Sequence, residues 1–512
     1  MNNKNNKDVI VLGKYLLTPL VMFLILPLIL LISAPITVHA MNTPSDTPFQ
    51  GYNYNHWSFL VPAPAAYAPV RTFGLSDIAP GIGEFTNPSD VHVDPENNIY
   101  VVDRENHRIV VFDTELNLIK VIDSFIRDGR TETLNMPSGV FVTPEMEIFI
   151  ADTNNHRIVI LNSYGNFVRE ITSPEIEGLE DDFLFLPLHV LVDRGGRVFV
   201  IVQRVFEGIM SFNAEGEFLG YFGTISLSPS PIDLIWRFFM TQEQRERQIR
   251  FIPTEFQAMS MDSYGFVFTT NIEPWATNDQ VMRLNPRGED VLVNFNDTVS
   301  ISGDQRFRGS GRLAGPSAFT DIVARSHGMY SALDSTRSRV FTYDSEGNLL
   351  YVFGGTGNIQ GMMRRPVALE MLGDDILILD AGRGQIVHFE PTEYGRLINT
   401  AIAMRYDGRD QEAVDAWRQL VLLDENFALA WAGIGRSMLA AGDNVSAMYY
   451  LQIGQDVRNY SIAFRRNRVI VMRENMAYVM NLISVLVVAY VGFKIYKKVR
   501  KNSKNGSSAE VV

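Results

Sequence analysis

Ile99-Tyr-Val-Val-Asp103-Arg-Glu-Asn106-His107-Arg108-Ile-Val-Val-Phe112 returns almost group for group as Ile148-Phe-Ile-Ala-Asp152-Thr-Asn-Asn155-His156-Arg157-Ile-Val-Ile-Leu161. Asp103 and Asp152, Asn106 and Asn155, His107 and His156, and Arg108 and Arg157 are each separated by the same 49 residues. A fixed period of this size is what a propeller blade leaves in sequence. Within each copy two β-rich runs flank a polar turn, the hairpin signal, and an upstream Pro-Ser-x-Val element (Pro88 to Val91, Pro137 to Val140) opens another strand. The aspartate and asparagine suit the turn because short polar side chains bond the local backbone and tolerate unusual dihedrals. The arginine is expected to brace neighbouring strands or blades.

These two copies closely resemble the NHL repeat, whose members form β-propellers. The pattern fades along the chain. A third copy from Pro187 to Phe212 keeps its strands but has Val202 where the turn aspartate belongs. Further copies run from Phe256 through Asp262 to Leu284, from Pro316 through Asp334 and Arg339 to Gly347, and from Pro366 through Asp380 to Phe389. Six copies predict a mainly β fold, a six-bladed propeller over residues 41–396. An open propeller would leave unpaired strand edges. The stretch Ala68-Pro-Val-Arg-Thr-Phe-Gly74, which looks like the outer strands ending at Gly223 and Gly354, is therefore expected to complete the last blade.

The surroundings place this domain. With 46% hydrophobic and 11% aromatic residues over 512 positions, the chain is globular. Residues 1–40 carry early lysines, an apolar run and Val38-His39-Ala40, which reads as an export signal cleaved before Met41, or alternatively as an uncleaved anchor. Residues 476–496 read as a transmembrane helix, since Met476 to Phe493 is free of charge and about 27 Å long as a helix. The basic tail, 497–512, belongs in the cytoplasm by the positive-inside bias, which puts the propeller outside the cell membrane. A net charge of −13, more negative still without the lysines of both ends, disfavours nucleic acid as a partner. The absence of cysteine excludes disulfides, thiol nucleophiles and cysteine-ligated metals.

Between propeller and span, residues 397–475 switch to helical spacing. Gly408 and Gly442, like Ala413 and Ala447, are 34 residues apart. This resembles the tetratricopeptide repeat, although Asp424-Glu425-Asn426 lacks the usual proline and only about one and a half repeats are present. Such a segment is either a stalk packed on the propeller or a peptide-docking groove. The helical pattern runs on past Arg465, Arg466, Arg468 and Arg473 into the span without a glycine or proline to break it. A helical insertion is expected at 231–250, where Trp236, Phe238 and Phe239 either pack on the propeller rim or contact a partner.

For chemistry, the start of each innermost strand faces the mouth of the central channel. Aligning the repeats puts Asp90, Gly139, His189, Ala258, Ala318 and Ala368 at that level, with Glu255 near the fourth. Asp90, His189 and Glu255 are the candidate ligand-binding residues; they are too few for a full calcium or zinc shell, so no metal or other cofactor is expected. His107 and His156 recur with the repeat and read as turn residues rather than metal ligands. No nucleophile elbow, zinc-protease helix or phosphate loop occurs. The expectation is a non-enzymatic recognition or scaffold protein binding protein or glycan at the cell surface, beside a carbohydrate uptake or envelope complex. The alternative is a lactonase-like hydrolase or lyase with calcium or zinc in the channel, which the resemblance to enzymatic six-bladed propellers implies.

Overall fold

The computed structural model describes residues 47–506, apart from 56, 58, 175–182, 224–254, 272–279, 294–302, 305–312 and 314. The export segment and the insertion at 231–250, with Trp236, Phe238 and Phe239, lie outside the described residues.

Six antiparallel sheets form the blades. Two hairpin strands, β1 (Gly51–Tyr54) and β2 (Leu60–Ala63), and β3 (Tyr67–Gly74) come first. Blade 1 is β4 (Asp90–Val93), β5 (Ile99–Asp103), β6 (Arg108–Phe112) and β7 (Leu118–Ile122), followed by a hairpin of β8 (Ser124–Arg127) and β9 (Arg130–Thr133). Blade 2 is β10 (Gly139–Val142), β11 (Ile148–Asp152), β12 (Arg157–Leu161) and β13 (Phe167–Thr172). Blade 3 is β14 (Pro187–Val192), β15 (Val198–Val202), β16 (Ile209–Phe212) and β17 (Phe218–Phe222). Blade 4 has β18 (Phe256–Met261), β19 (Val267–Asn271) and β20 (Val281–Leu284) among the described residues. Blade 5 is β21 (Phe319–Ala324), β22 (Tyr330–Asp334), β23 (Arg339–Tyr343) and β24 (Leu349–Gly354), extended outward by β1 and β2. Blade 6 is β25 (Pro366–Leu372), β26 (Asp375–Asp380) and β27 (Gln385–Pro391), with β3 outermost.

The middle strands read as unbroken apolar runs because each blade is covered on both faces. Every residue of β5, β11 and β15 is buried. Between blades 1 and 2, Val102, Ile109 and Val111 meet Val140, Ile150 and Val159 in one core. The innermost strands touch in a closed ring, β4 to β10, β14, β18, β21, β25 and back to β4.

Closure is made as the sequence repeat requires. β3 pairs with β27 from Gln385 opposite Gly74 to Pro391 opposite Tyr67, so a strand from the amino end completes the last blade. Pro69 falls at the register shift between His388 and Phe389, on the outermost strand. A residue without an N–H costs little at such an edge irregularity.

Five helices follow: α1 (Glu393–Tyr406), α2 (Val414–Leu423), α3 (Ala428–Ala440), α4 (Asn444–Ile453) and α5 (Val457–Gly506). Thr392 caps α1, accepting the Gly395 N–H and donating its hydroxyl to the Ala65 carbonyl at 2.7 Å. A Cβ on Gly395 would stand 2.0 Å from the Ala66 carbonyl oxygen, so only glycine lets α1 lie this close to the closing strand. Tyr394, Ile398, Ala401, Trp417, Leu420 and Ile434 share one buried core with Tyr67, Val323, Phe353 and Phe389 of blades 5 and 6. Buried Arg325 donates to the hydroxyls of Tyr351 (2.6 Å) and Tyr67 (2.8 Å), and the Tyr351 hydroxyl donates in turn to Asn399 of α1 at 2.8 Å. The helices are therefore part of the propeller's core rather than a tethered appendage. α5 runs without a break through 50 residues, about 75 Å. It contains an exposed segment long and apolar enough to cross a membrane.

Candidate functional site

The ring at the channel is defined by strand register, not by counting along the repeat. Opposite the residue that precedes each blade's turn position stand Asp90 (facing Val102), Gly139 (Ala151), His189 (Ile201), Ala258 (Thr270), Asp321 (Leu333) and Ala368 (Leu379). In blade 5 the level residue is Asp321, and the sequence-based placement of Ala318 there is corrected. The pairing slips between Phe319 and Asp321 just as it does between Pro187 and His189, Phe256 and Ala258, and Pro366 and Ala368, so the counterpart of those strand-opening residues is Phe319 rather than Pro316, and the level residue two further on is Asp321. Ala318 lies on the rim instead, its N–H bound at 3.0 Å by Asp334, just as Asp103 holds the Thr86 N–H and Asp152 that of Asn135.

Asp90 and Asp321 make the same contact from different blades. Asp90 Oδ1 accepts the N–H of Val91 at 2.9 Å and its Oδ2 that of Val140, in blade 2, at 3.0 Å. Asp321 Oδ1 accepts from Ile322 at 2.8 Å and its Oδ2 from Leu369, in blade 6, at 2.7 Å. Each carboxylate thus latches one innermost strand to the next. One layer below, His92 Nδ1 approaches Glu370 Oε2 at 3.3 Å, between blades 1 and 6, and the His92 ring packs 5.0 Å from that of Phe141.

The electrostatics follow from crowding acids in a low-dielectric ring. Burial pushes the Asp90 carboxyl up to about 7; the Val140 N–H and His92 oppose this, and Glu370 adds to it. Burial also holds Asp321 well above the usual carboxylate range, reinforced by the charges of Asp90 and Glu370. For His92, burial disfavours the imidazolium, but the bond to Glu370 and its charge win and raise the group. His189 has burial alone, which lowers it to about 4 and keeps the imidazole neutral.

Of the three residues singled out from sequence, Asp90 and His189 flank Gly139. A Cβ there would stand 3.4 Å from Asp90 Oδ2 and 3.2 Å from His189 Cα. Glu255 is placed apart from them, its Oε1 accepting the Arg204 N–H at 3.0 Å on the rim of blade 3. Asp321, Glu370 and His92 were missed. His92 and Glu370 sit two residues beyond the level positions Asp90 and Ala368, on the same strand face, and that i, i+2 spacing was the available signal.

The repeated turn residues form a second constellation. The Asp103 carboxylate accepts from Thr86 N–H (2.7 Å), Asn106 Nδ2 (2.9 Å) and Arg108 Nε (2.7 Å). In blade 2, Asp152 accepts from Asn135 N–H (2.7 Å), Asn155 Nδ2 (2.8 Å) and Arg157 Nε (2.9 Å). His107 and His156 both adopt left-handed backbone, φ 54° and 57°. His107 Nδ1 accepts the Met136 N–H at 2.8 Å, whereas His156 Nδ1 faces the Phe185 carbonyl at 3.2 Å and so must carry the proton. Each histidine reaches 29 residues ahead to the approach of the next blade.

Fold and repeats together define a six-bladed β-propeller, with the sequence repeat clearest in blades 1 and 2. Residues 85–112 and 134–161 match the family model of the NHL repeat. No curated protein matches the chain. Among solved structures, virginiamycin B lyase from Staphylococcus aureus is similar over 64% of this chain and 100% of its own, at 10% identity and a TM-score of 0.40. A gluconolactonase from Xanthomonas campestris is similar over 65% and 97%, at 11% identity and 0.36. A luciferin-regenerating enzyme is similar over 64% and 96%, at 11% identity and 0.38.

Proposed function

We propose that the protein is a membrane-anchored recognition scaffold, holding the propeller outside the cell to bind a protein or glycan. The observation that carries this reading is the mount. Propeller and helices share one buried core, and the last helix continues unbroken into the apolar span. A propeller fixed this way presents its faces at a set height and angle, which suits assembly with a membrane neighbour. Helices α1–α4 act as tetratricopeptide-like pairs offering a second docking surface.

The cysteine-free chain makes the topology directly testable. Thr114→Cys, on an exposed blade-1 turn, should react with a membrane-impermeant maleimide on intact cells, while Ser503→Cys should react only after permeabilisation. The reverse pattern would place the propeller inside. Photo-crosslinkers at the exposed rim residue Glu105 and the exposed helix residue Tyr449 should then give discrete adducts in native membranes; adducts at neither position would remove the scaffold role.

A second reading, a propeller hydrolase or lyase with a channel-bound divalent cation, is favoured by one feature: the carboxylates of Asp90, Asp321 and Glu370 lie near enough in the channel to act on one another electrostatically. These are hard oxygen donors of the kind calcium takes, although every oxygen of Asp90 and Asp321 already accepts a backbone N–H and would have to share its second lone pair. When bound, the cation would polarise a substrate carbonyl or ester oxygen. Stoichiometric calcium in the purified full chain, lost in Asp90→Asn, would establish this reading over the scaffold.

A further inference from the structure

Blade 6 carries a different donor set at the opposite end of its strands. Asp375 opens β26, while His388 and Glu390 lie near the end of β27. Ile376 pairs with Phe389, so Asp375 and Glu390 face each other just past the last rung, and His388 projects from the same sheet face one step inward. His388 Nε2 is 2.8 Å from Asp375 Oδ2, and one donor atom from each of the three residues lies within 4.8 Å of the others.

Two carboxylates facing each other across a strand pair repel. Elsewhere in this propeller such acids are answered by arginine: Asp103 by Arg108, Asp152 by Arg157, Asp262 by Arg283 and Asp304 by Arg339. Here, among the described residues, no lysine or arginine pairs with Asp375 or Glu390. Arg71, directly opposite His388 on β3, lays its guanidinium over the Phe73 ring at 5.2 Å, and Phe73 lies in the direction away from Glu390. Among the described residues, the group answering the pair is a histidine, itself a metal ligand type, buried and hydrogen-bonded to Asp375.

We propose that Asp375, His388 and Glu390 bind a first-row divalent cation of the zinc type. Tetrahedral zinc with donors at about 2.0–2.2 Å needs them roughly 3.4 Å apart, which small side-chain rotations reach from the present spacing. One nitrogen and two carboxylate oxygens leave the fourth position to water. The mixed donor set favours zinc over calcium or magnesium, which take all-oxygen shells. Zinc on His388 Nε2 takes that nitrogen's lone pair, so the neutral ring would carry its one proton on Nδ1 and the His388–Asp375 hydrogen bond would give way to two bonds to the ion. Glu390 stands two residues ahead of Thr392, the cap of α1, so the ion would staple two strands of the closing blade at the point where the helices leave it. The site is independent of partner recognition and of the channel.

The test uses the full chain in detergent, loaded with zinc, freed of excess by dialysis and assayed for bound metal. Wild type and the channel variant Asp90→Asn are expected to retain one equivalent. His388→Gln and Glu390→Gln should bind zinc at least about tenfold more weakly, because each removes a direct ligand. Glu390 is exposed, so Glu390→Gln keeps the fold, and its metal-free thermal midpoint should be at or slightly above that of wild type, because the repulsion with Asp375 is relieved. Zinc should raise the midpoint of wild type and leave that of Glu390→Gln unmoved. Failure of wild type to retain zinc, retention undiminished in the two blade-6 variants, or loss on Asp90→Asn instead would each overturn the assignment.

Discussion

Blades 1 and 5 solve the same problem with the same side chain, yet in different surroundings. Both use an inner-strand aspartate to tie the following blade, Asp90 to Val140 and Asp321 to Leu369. Asp321 is buried and has the charges of Asp90 and Glu370 against its own, whereas Asp90 is half-buried and has His92 nearby to favour its charge. A latch made twice shows that the channel-facing acids serve ring closure before any ligand, and the difference in burial says which copy the fold depends on more.

The largest effect should come from removing the deeper latch. Asp321→Ala strips acceptors from the Ile322 and Leu369 N–H groups in a site that water reaches poorly, a loss of about 3 kcal/mol. Asp90→Ala should cost about 1–2 kcal/mol, because water can take over part of its role. Asp321→Asn, which keeps one acceptor oxygen, should fall between wild type and Asp321→Ala. Urea midpoints of the three variants measure this, and equal losses at the two alanine variants would show that burial does not separate the copies.

The residue that receives each latch provides a second contrast. In blade 6 the position before Leu369 is Ala368; in blade 2 the position before Val140 is Gly139. A Cβ on Gly139 would stand 2.6 Å from the Leu188 carbonyl oxygen as well as crowding His189. Gly139→Ala must therefore push blades 2 and 3 apart, at about 2 kcal/mol, the scale of overpacking in a core. Ala368→Gly, which only empties space and loosens the backbone, should cost about 1 kcal/mol. Thermal unfolding of the pair checks the order, and a harmless Gly139→Ala would mean that the inner strands yield more than this packing allows.

What was legible in the chain divides along the same line. Blades 1 and 2 announce themselves because Asp103 and Asp152 bind backbone and arginine through a fixed local spacing, and local spacing survives in sequence. The closing role of β3 was legible from the likeness of Ala68 to Gly74 to other outer strands. Asp321 was not, because Pro316 looks like the strand-opening Pro187 and Pro366, whereas the strand of blade 5 opens at Phe319 and its level residue lies two further on. The same applies to Glu370, whose meeting with His92 needs the ring to close between blades 6 and 1. The helical joint was partly visible as a change of period, but the role of Gly395 against Ala66 is a contact between residues more than 300 apart in sequence.

The smallest net effect on wild type comes from two opposed pH slopes within the ring, which largely offset each other. The Asp90 carboxyl is raised from 3.8 to about 7 on folding, so its contribution is fully present below about pH 4 and is lost as pH climbs through 7. The His189 imidazole is lowered from 6.5 to about 4, so its contribution is present above 6.5 and is lost as pH falls through 4. Between those limits the two act against each other, and the wild-type profile hides both. The stability of wild type relative to Asp90→Asn should therefore decline as pH rises across this window, while that relative to His189→Gln should increase. Urea midpoints taken at several pH values for all three proteins separate the slopes. If both differences run in the same direction, the ring does not hold an acid and an imidazole in opposite departures from their solution behaviour, and Asp90 and His189 belong to more solvated surroundings than their neighbours on either side of Gly139 imply.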